Sequence, residues 1–144
     1  MPSATDYQRL AIFLARRIGD MDYAQVLTTD TFRWAVSQAQ AGIEIPFGAL
    51  LAASARSAAI AIRDNDKALA EQVSMAGIIA ALHPVEREVL RLIYWDQLSM
   101  GELADYLGCS ISHAGALLDR AYGHAEDRAK NLGFSMEDSA HETP

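Results

Sequence analysis

Residues able to do chemistry are few in this chain, and they are scattered. The four histidines stand far apart, and the sole cysteine, Cys109, has one possible co-ligand four residues on, His113. A turn is expected between those two, and two ligands fall short of the four that a structural zinc site uses. No metal centre is expected, and Cys109 reads as a small apolar residue packing at a core edge. The carboxylate pairs Asp64/Asp66 and Glu86/Glu88 read as solvated helix ends rather than as acid–base couples. Neither a G-x-x-x-x-G-K-[ST] phosphate loop nor a G-x-G-x-x-G fingerprint is present. The expectation is therefore no enzyme, no cofactor and no small-molecule substrate.

The stretch with a definite chemical outline is "LSMGELADYLGCSISHAGALLDRA", Leu98 to Ala121. Ser99 and Glu102 form an S-x-x-E capping box, Gly108 sits where a glycine would end that helix, and Ser110 or Ser112 would cap the next. This is a helix-turn-helix pattern, and its second helix would offer Ser110, Ser112, His113, Ala116 and Arg120 to DNA. Yet no Lys or Arg occurs from Gly108 to Asp119. Affinity for nucleic acid comes mainly from cations on phosphates. Net charge is −7 over 144 residues, and the charge is uneven. Before Pro84 there are 7 basic and 8 acidic residues; from Pro84 onward there are 5 basic and 11 acidic. The half with the DNA-binding outline is the acidic half, so DNA binding by this segment alone is expected to be weak.

The composition is 51% apolar, enough for a core. One cysteine rules out an intrachain disulfide and fits a reducing compartment. The N-terminal "MPSATDYQRL" has no charged, apolar signal-peptide pattern, and no apolar run approaches the ~20 residues of a membrane span. A cytoplasmic protein with no membrane partner is expected.

The elements that must position these residues all read as helices, because apolar residues recur at helical spacing and no alternating segment appears. Helix 1 is expected from Thr5 to Ile18, ended by "GDMD". Helix 2 runs from Tyr23 to Gln40, with Asp22 as its cap. Helix 3 runs from Pro46 to Arg63, with "RDND" as a break. A fourth helix, capped by Asp64 or Asp66, reaches Leu82. Pro84 opens helix 5, to Trp95; "DQLS" is a turn; the two helices of the helix-turn-helix follow, the last reaching Asn131. The tail "GFSMEDSAHETP" is expected to fray. Leu90, Ile93, Leu98, Leu103, Leu107 and Leu118 form the expected core of the C-terminal unit.

The stretch Leu82 to Ala121 resembles region 4 of bacterial sigma factors of the extracytoplasmic-function class. Leu82, Pro84, Arg87, Glu88, Val89, Leu90, Tyr94, Leu98, Ser99, Glu102, Ala104, Leu107, Gly108 and Ser110 follow that family's pattern in order, without gaps. The first part resembles region 2 of the same class through Thr31 and Phe32, with Asp30 for the usual Glu, and through Pro46, Leu51, Ala55 and Arg56. The resemblance implies an all-α protein of two small helical units: a region 2-like unit over residues 1–63, a helical linker over 64–83, a region 4-like helix-turn-helix over 84–131 and a tail over 132–144. It implies RNA polymerase core as a partner, gripped through the helix that carries Asp22, Gln25, Val26, Thr29, Asp30 and Arg33. It also implies promoter DNA at Ser110, Ser112, His113, Ala116 and Arg120.

Departures from the family pattern fall on these surfaces. Gln25, Val26 and Thr29 replace acidic and amide residues, Leu50 replaces a Trp, and "RDND" replaces a basic run. In the reading helix, Gly115 and Leu117 stand where the family carries cations, and Arg120 remains. Two readings follow, beside a third of a plain helical scaffold with no link to transcription. One is a divergent sigma factor. The other is a sigma-like module that binds an anti-sigma factor or polymerase with little DNA binding of its own. Val26, Leu50 and Leu117 would form protein-binding patches if exposed and would tighten the core if buried.

Overall fold

The computed structural model describes residues 1–70 and 74–133. The expected fraying of the last residues, and part of the expected fourth helix, lie outside them. The described residues form eight helices and no strand: α1 (Ala4–Ile18), α2 (Met21–Gln40), α3 (Phe47–Ser57), α4 (Ala59–Ala70), α5 (Met75–Ala80), α6 (Pro84–Tyr94), α7 (Met100–Leu107) and α8 (Ile111–Asn131). The fold is all-α, as the periodicity predicts.

Local chemistry explains most of the boundaries. Ser3 and Asp6 close a reciprocal capping box at the start of α1, and Gly19, at φ 75°, ends it by donating to the Ala15 carbonyl. The chain leaves that left-handed glycine extended at Asp20, so Asp20 rather than Asp22 caps α2, accepting from the Tyr23 amide at 3.1 Å. Pro84 opens α6. Ser99 and Glu102 cap α7 reciprocally, and Gly108 ends it at φ 68°.

Two sequence expectations are corrected in the middle of the chain. The helix expected from Pro46 to Arg63 breaks at Ala58, and "RDND" is continuous helix within α4. The Ser54 hydroxyl donates to the Leu51 carbonyl at 2.8 Å and the Ser57 hydroxyl to the Ala53 carbonyl at 3.3 Å. These bonds compete for the helical acceptors just before the break and bend the chain there. In α4, Asp66 is not a solvated cap but is 4% exposed, drawn into ion pairs with α6.

One apolar core runs through both halves of the chain. Leu10, Phe13 and Leu14 of α1 and Leu50 and Leu51 of α3 belong to the same buried cluster as Leu90 of α6, Leu103 of α7 and Ala121 of α8. Leu50 is 2% exposed, so its departure from the family's Trp fills the core. Of the expected C-terminal core, Leu90, Leu98 and Leu103 are buried, while Ile93, Leu107 and Leu118 are half-buried against the same cluster. The closest approach of the two halves is α3 on α7. A Cβ built on Gly48 would lie 2.1 Å from the Glu102 carbonyl oxygen and 2.9 Å from the Tyr106 amide nitrogen. Glycine at 48 is therefore what allows the two backbones to touch.

Candidate DNA and partner surfaces

The second helix of the helix-turn-helix, α8, divides into two faces. Ala114, Ala121, Ala125 and Ala129 are fully buried. Small side chains let α8 lie close to its neighbours. Ser110, Ser112, His113, Ala116 and Arg120 are all exposed. Ser112, Ala116 and Arg120 are spaced four residues apart and share one outward stripe, with His113 at its flank. Ser110 is committed to local structure, since its Oγ accepts from the His113 amide at 3.1 Å. Cys109 packs half-buried against the core.

Gly115 and Leu117 are not on that stripe. Leu117 is half-buried against the core, and a Cβ on Gly115 would sit 3.9 Å from the Met100 Cε. Neither position supplies a cation to the stripe. On the outward stripe the acidic neighbour is Asp119, exposed next to Arg120.

The second candidate surface lies on α2. Asp22, Gln25, Val26, Asp30 and Arg33 are exposed along one face, and Thr29 is half-buried among them. The Thr29 hydroxyl hydrogen-bonds to the Tyr7 hydroxyl at 3.1 Å, which ties this face to α1. Asp22, Gln25, Val26, Thr29 and Asp30 line a shallow depression of about 440 Å³. Val26 is 56% exposed, so of the three apolar departures it alone forms a surface patch.

Sequence reasoning missed a third feature, a buried ionic seam between the two halves. Arg17 of α1, with its side chain wholly buried, meets Glu88 Oε2 of α6 at 3.3 Å and Asp96 Oδ2 of the α6–α7 turn at 2.8 Å. Asp66 of α4 receives Arg87 Nε at 2.9 Å and Arg91 Nη1 at 2.6 Å. The Tyr106 hydroxyl donates to Glu88 at 3.1 Å. At the seam's edge Arg9 forks onto both oxygens of Glu102, at 2.8 and 3.1 Å. Apart from the Arg9–Glu102 pair at its edge, the seam joins three arginines with three carboxylates, so its formal charge is zero. Glu86 is not a free helix end either; it pairs with His124 Nδ1 of α8.

Titration behaviour follows from this burial. Burial pulls the Arg17 guanidinium down, and the neighbouring Glu88 and Asp96 charges more than offset it, so the group ends above its ordinary value. Burial holds Arg91 below its ordinary value, with Asp66 offsetting part of the effect. Burial raises the Asp96 carboxyl against the pull of Arg17. Tyr106 is raised by burial and by Glu88. The hydrogen bonds from Arg9 hold the Glu102 carboxyl below the usual carboxylate range. No short-range signal marks the seam. Its members lie on α1, α4, α6, the α6–α7 turn and α7, and Arg17 and Asp66 are far in sequence from the partners they meet.

Residues 73–124 match the family model for sigma-70, region 4. The matched span takes in α5, α6, α7 and α8 as far as His124, and so contains the whole turn between Gly108 and Ser110. No curated protein and no solved structure matches the chain. The match makes the α5–α8 segment sigma region 4-like and points to a role in transcription. Helices α1 to α4 lie outside it. Among the described residues no cluster of three or more His, Cys, Asp or Glu could hold a metal ion. No helix among them is long and apolar enough to cross a membrane.

Proposed function

We propose that this chain is a sigma factor-like protein of the extracytoplasmic-function kind, acting in the bacterial cytoplasm at transcription initiation. In this reading the exposed face of α2, with Asp22, Gln25, Val26, Thr29, Asp30 and Arg33, binds RNA polymerase core. The outward stripe of α8, with Ser112, His113, Ala116 and Arg120 and with Ser110 at its cap, helps recognise a promoter. Residues 1–63 correspond to region 2, and the linker that follows from residue 64 runs into the region 4-like segment. No catalysis and no cofactor enter the role. The observation that carries the reading is the region 4 match over residues 73–124, whose Ser99 cap, Gly108 turn and Ser110 cap fold as a helix-turn-helix.

One observation favours a second reading. The exposed stripe of α8 offers a single arginine beside Asp119, and α3 lies against the supporting helix α7. A helix-turn-helix reads bases with its second helix while its first crosses the DNA backbone. A stripe this poor in cations and a first helix this well covered suit a module that binds an anti-sigma factor or polymerase, with little DNA binding of its own.

Reconstitution with polymerase core tests the primary reading. Core binding together with promoter-dependent transcripts is the expected result. Core binding without transcripts, alongside tight binding of an anti-sigma factor, selects the second reading. Failure to bind core at all removes the first.

A further inference from the structure

We propose that the outer face of α4 is a self-association surface, on which a second copy of the chain lays its own α4 antiparallel. The inference stands apart from the transcription reading and does not depend on it. Ala59, Ile60, Arg63, Asp64, Lys67 and Ala68 are all exposed. They recur at alternating steps of one and three residues, so they share one side of the helix. The opposite side is committed inward. Asp66 meets Arg87 and Arg91, and the Asn65 side-chain amide donates to the Arg17 carbonyl at 3.1 Å.

Two observations mark the outer side as a face awaiting a partner. Ile60 is 73% exposed and Met21 69% exposed, the highest values among the large apolar side chains of the described residues. They belong to one area of the surface. A Cβ built on Gly19 would lie 2.9 Å from Asn65 Oδ1, so the α1–α2 corner sits against the middle of α4 and brings Met21 beside it. Second, among the described residues none of Arg63, Asp64 and Lys67 has an ion-pair partner, although all three stand within two turns of one helix.

The order of these side chains is self-complementary, and this selects the occupant. In a two-fold interface each contact between copies occurs twice. With the axis between Arg63 and Asp64, Arg63 of each copy faces Asp64 of the other. Ile60 then meets Lys67, whose methylene stem covers it while the ammonium stays in water. Ala59 meets Ala68, and two small side chains let the helices lie close. Neither the α2 face nor the α8 stripe contributes a residue, so both stay available in the pair. Pairing along a single 12-residue helix falls at the small end of interfaces, below about 1,200 Å² in total, where association is weak and transient.

The test is sedimentation of the full chain over a concentration series. Salt at about 0.15 M screens the net charge of −7 beyond roughly 8 Å. A monomer that passes to a dimer as concentration rises is the expected result. Arg63→Asp and Asp64→Arg should each weaken the dimer at least tenfold, since each sets like charges together twice. Arg63→Asp/Asp64→Arg should restore it to within about threefold, because both bridges re-form with their signs exchanged. Mixing the two single variants should give a heterodimer tighter than either homodimer. Ile60→Ala should weaken association severalfold, and Ile43→Ala, at an exposed position on the α2–α3 connection, should leave it unchanged. Circular dichroism checks that each variant folds. A chain that stays monomeric throughout overturns the inference. So does a dimer that the single variants leave intact, or a mixture no tighter than its parts. Hydrogen exchange gives an independent readout: amides of α4 should slow as protein concentration rises. Slowing by duplex DNA but not by protein concentration would make the face a nucleic-acid contact and overturn the inference.

Discussion

Arg17 of α1 and Asp96 of the α6–α7 turn are distant in sequence and 2.8 Å apart in space, with the arginine side chain wholly buried. The pair is the clearest sign that the two halves of the chain are built to lie together. Desolvating two charges costs about as much as their attraction returns, so such a pair fixes position more than it adds stability. Removing one partner is a different matter, because the other is left charged and buried.

Arg17→Met should therefore destabilise the fold by about 3–5 kcal/mol. Urea denaturation followed by circular dichroism measures this. Arg17→Met/Asp96→Leu should recover a good part of the loss, since an apolar replacement of the whole pair removes the orphaned carboxylate. A single variant within about 0.5 kcal/mol of wild type, the usual span of surface substitutions, would contradict the buried seam.

The Gly48 contact makes a steric prediction. A Cβ there would lie 2.1 Å from the Glu102 carbonyl oxygen, a backbone atom that cannot move alone. Gly48→Val should cost about 3 kcal/mol or more, the upper end for overpacking. Amide exchange of α7 should rise together with the loss of stability, because α3 would be levered off it. Unchanged exchange in α7 would argue that the two helices are not in register as described.

A pH prediction follows from Arg9 and Glu102. The Glu102 carboxyl is held below its ordinary value, mainly by hydrogen bonds from Arg9. Its contribution is therefore present above the unfolded carboxylate pKa of ~4.3 and lost as pH falls through the lower folded value. Glu102→Gln retains the capping geometry but cannot form the ion pair. The stability difference between wild type and Glu102→Gln should be constant at neutral pH and shrink below about pH 4. A difference that grows on acidification would reverse the assignment. Asp96 works in the opposite direction, because its folded value is raised. The comparison with Glu102→Gln cancels that slope.

For DNA, the number of cations sets the salt dependence. Arg120 is the only Lys or Arg between Arg91 and Arg128. Binding through the stripe of α8 alone should give a log K against log salt slope no steeper than about −1 to −2, at ~0.9 per phosphate contact. Arg120→Ala should remove most of it. Fluorescence anisotropy over a salt series reads both. A slope of about −5 would reveal a basic surface elsewhere on the protein.

The turn between α6 and α7 carries a conformational cost at Gln97, whose φ is 55°. A left-handed non-glycine residue is unfavourable by roughly 1–2 kcal/mol. Leu98, 6% exposed, anchors the chain immediately after it. Gln97→Gly should raise stability by about 0.5–1 kcal/mol once the added freedom of the unfolded chain is counted, measurable as a small rise in the melting temperature.

What the sequence determined alone is local. Helical periodicity marked the all-α class, and the Ser99–Glu102 box, Gly108 and Ser110 marked the helix-turn-helix, because each acts through backbone groups three or four residues away. The same locality made the exposed stripe of α8 legible from spacing. Only the tertiary structure decided which departures are buried and which are exposed. Leu50 and Leu117 pack against the core, while Val26 faces solvent. The seam of Arg17, Asp66, Glu88, Arg91 and Asp96 was invisible beforehand, because a charged residue on a helix is ordinarily solvated. Whether a partner of opposite sign covers it depends on segments far away in the chain. The same physics moved the break from "RDND" to Ala58: Asp66 was drawn inward by α6, and α4 continued through it.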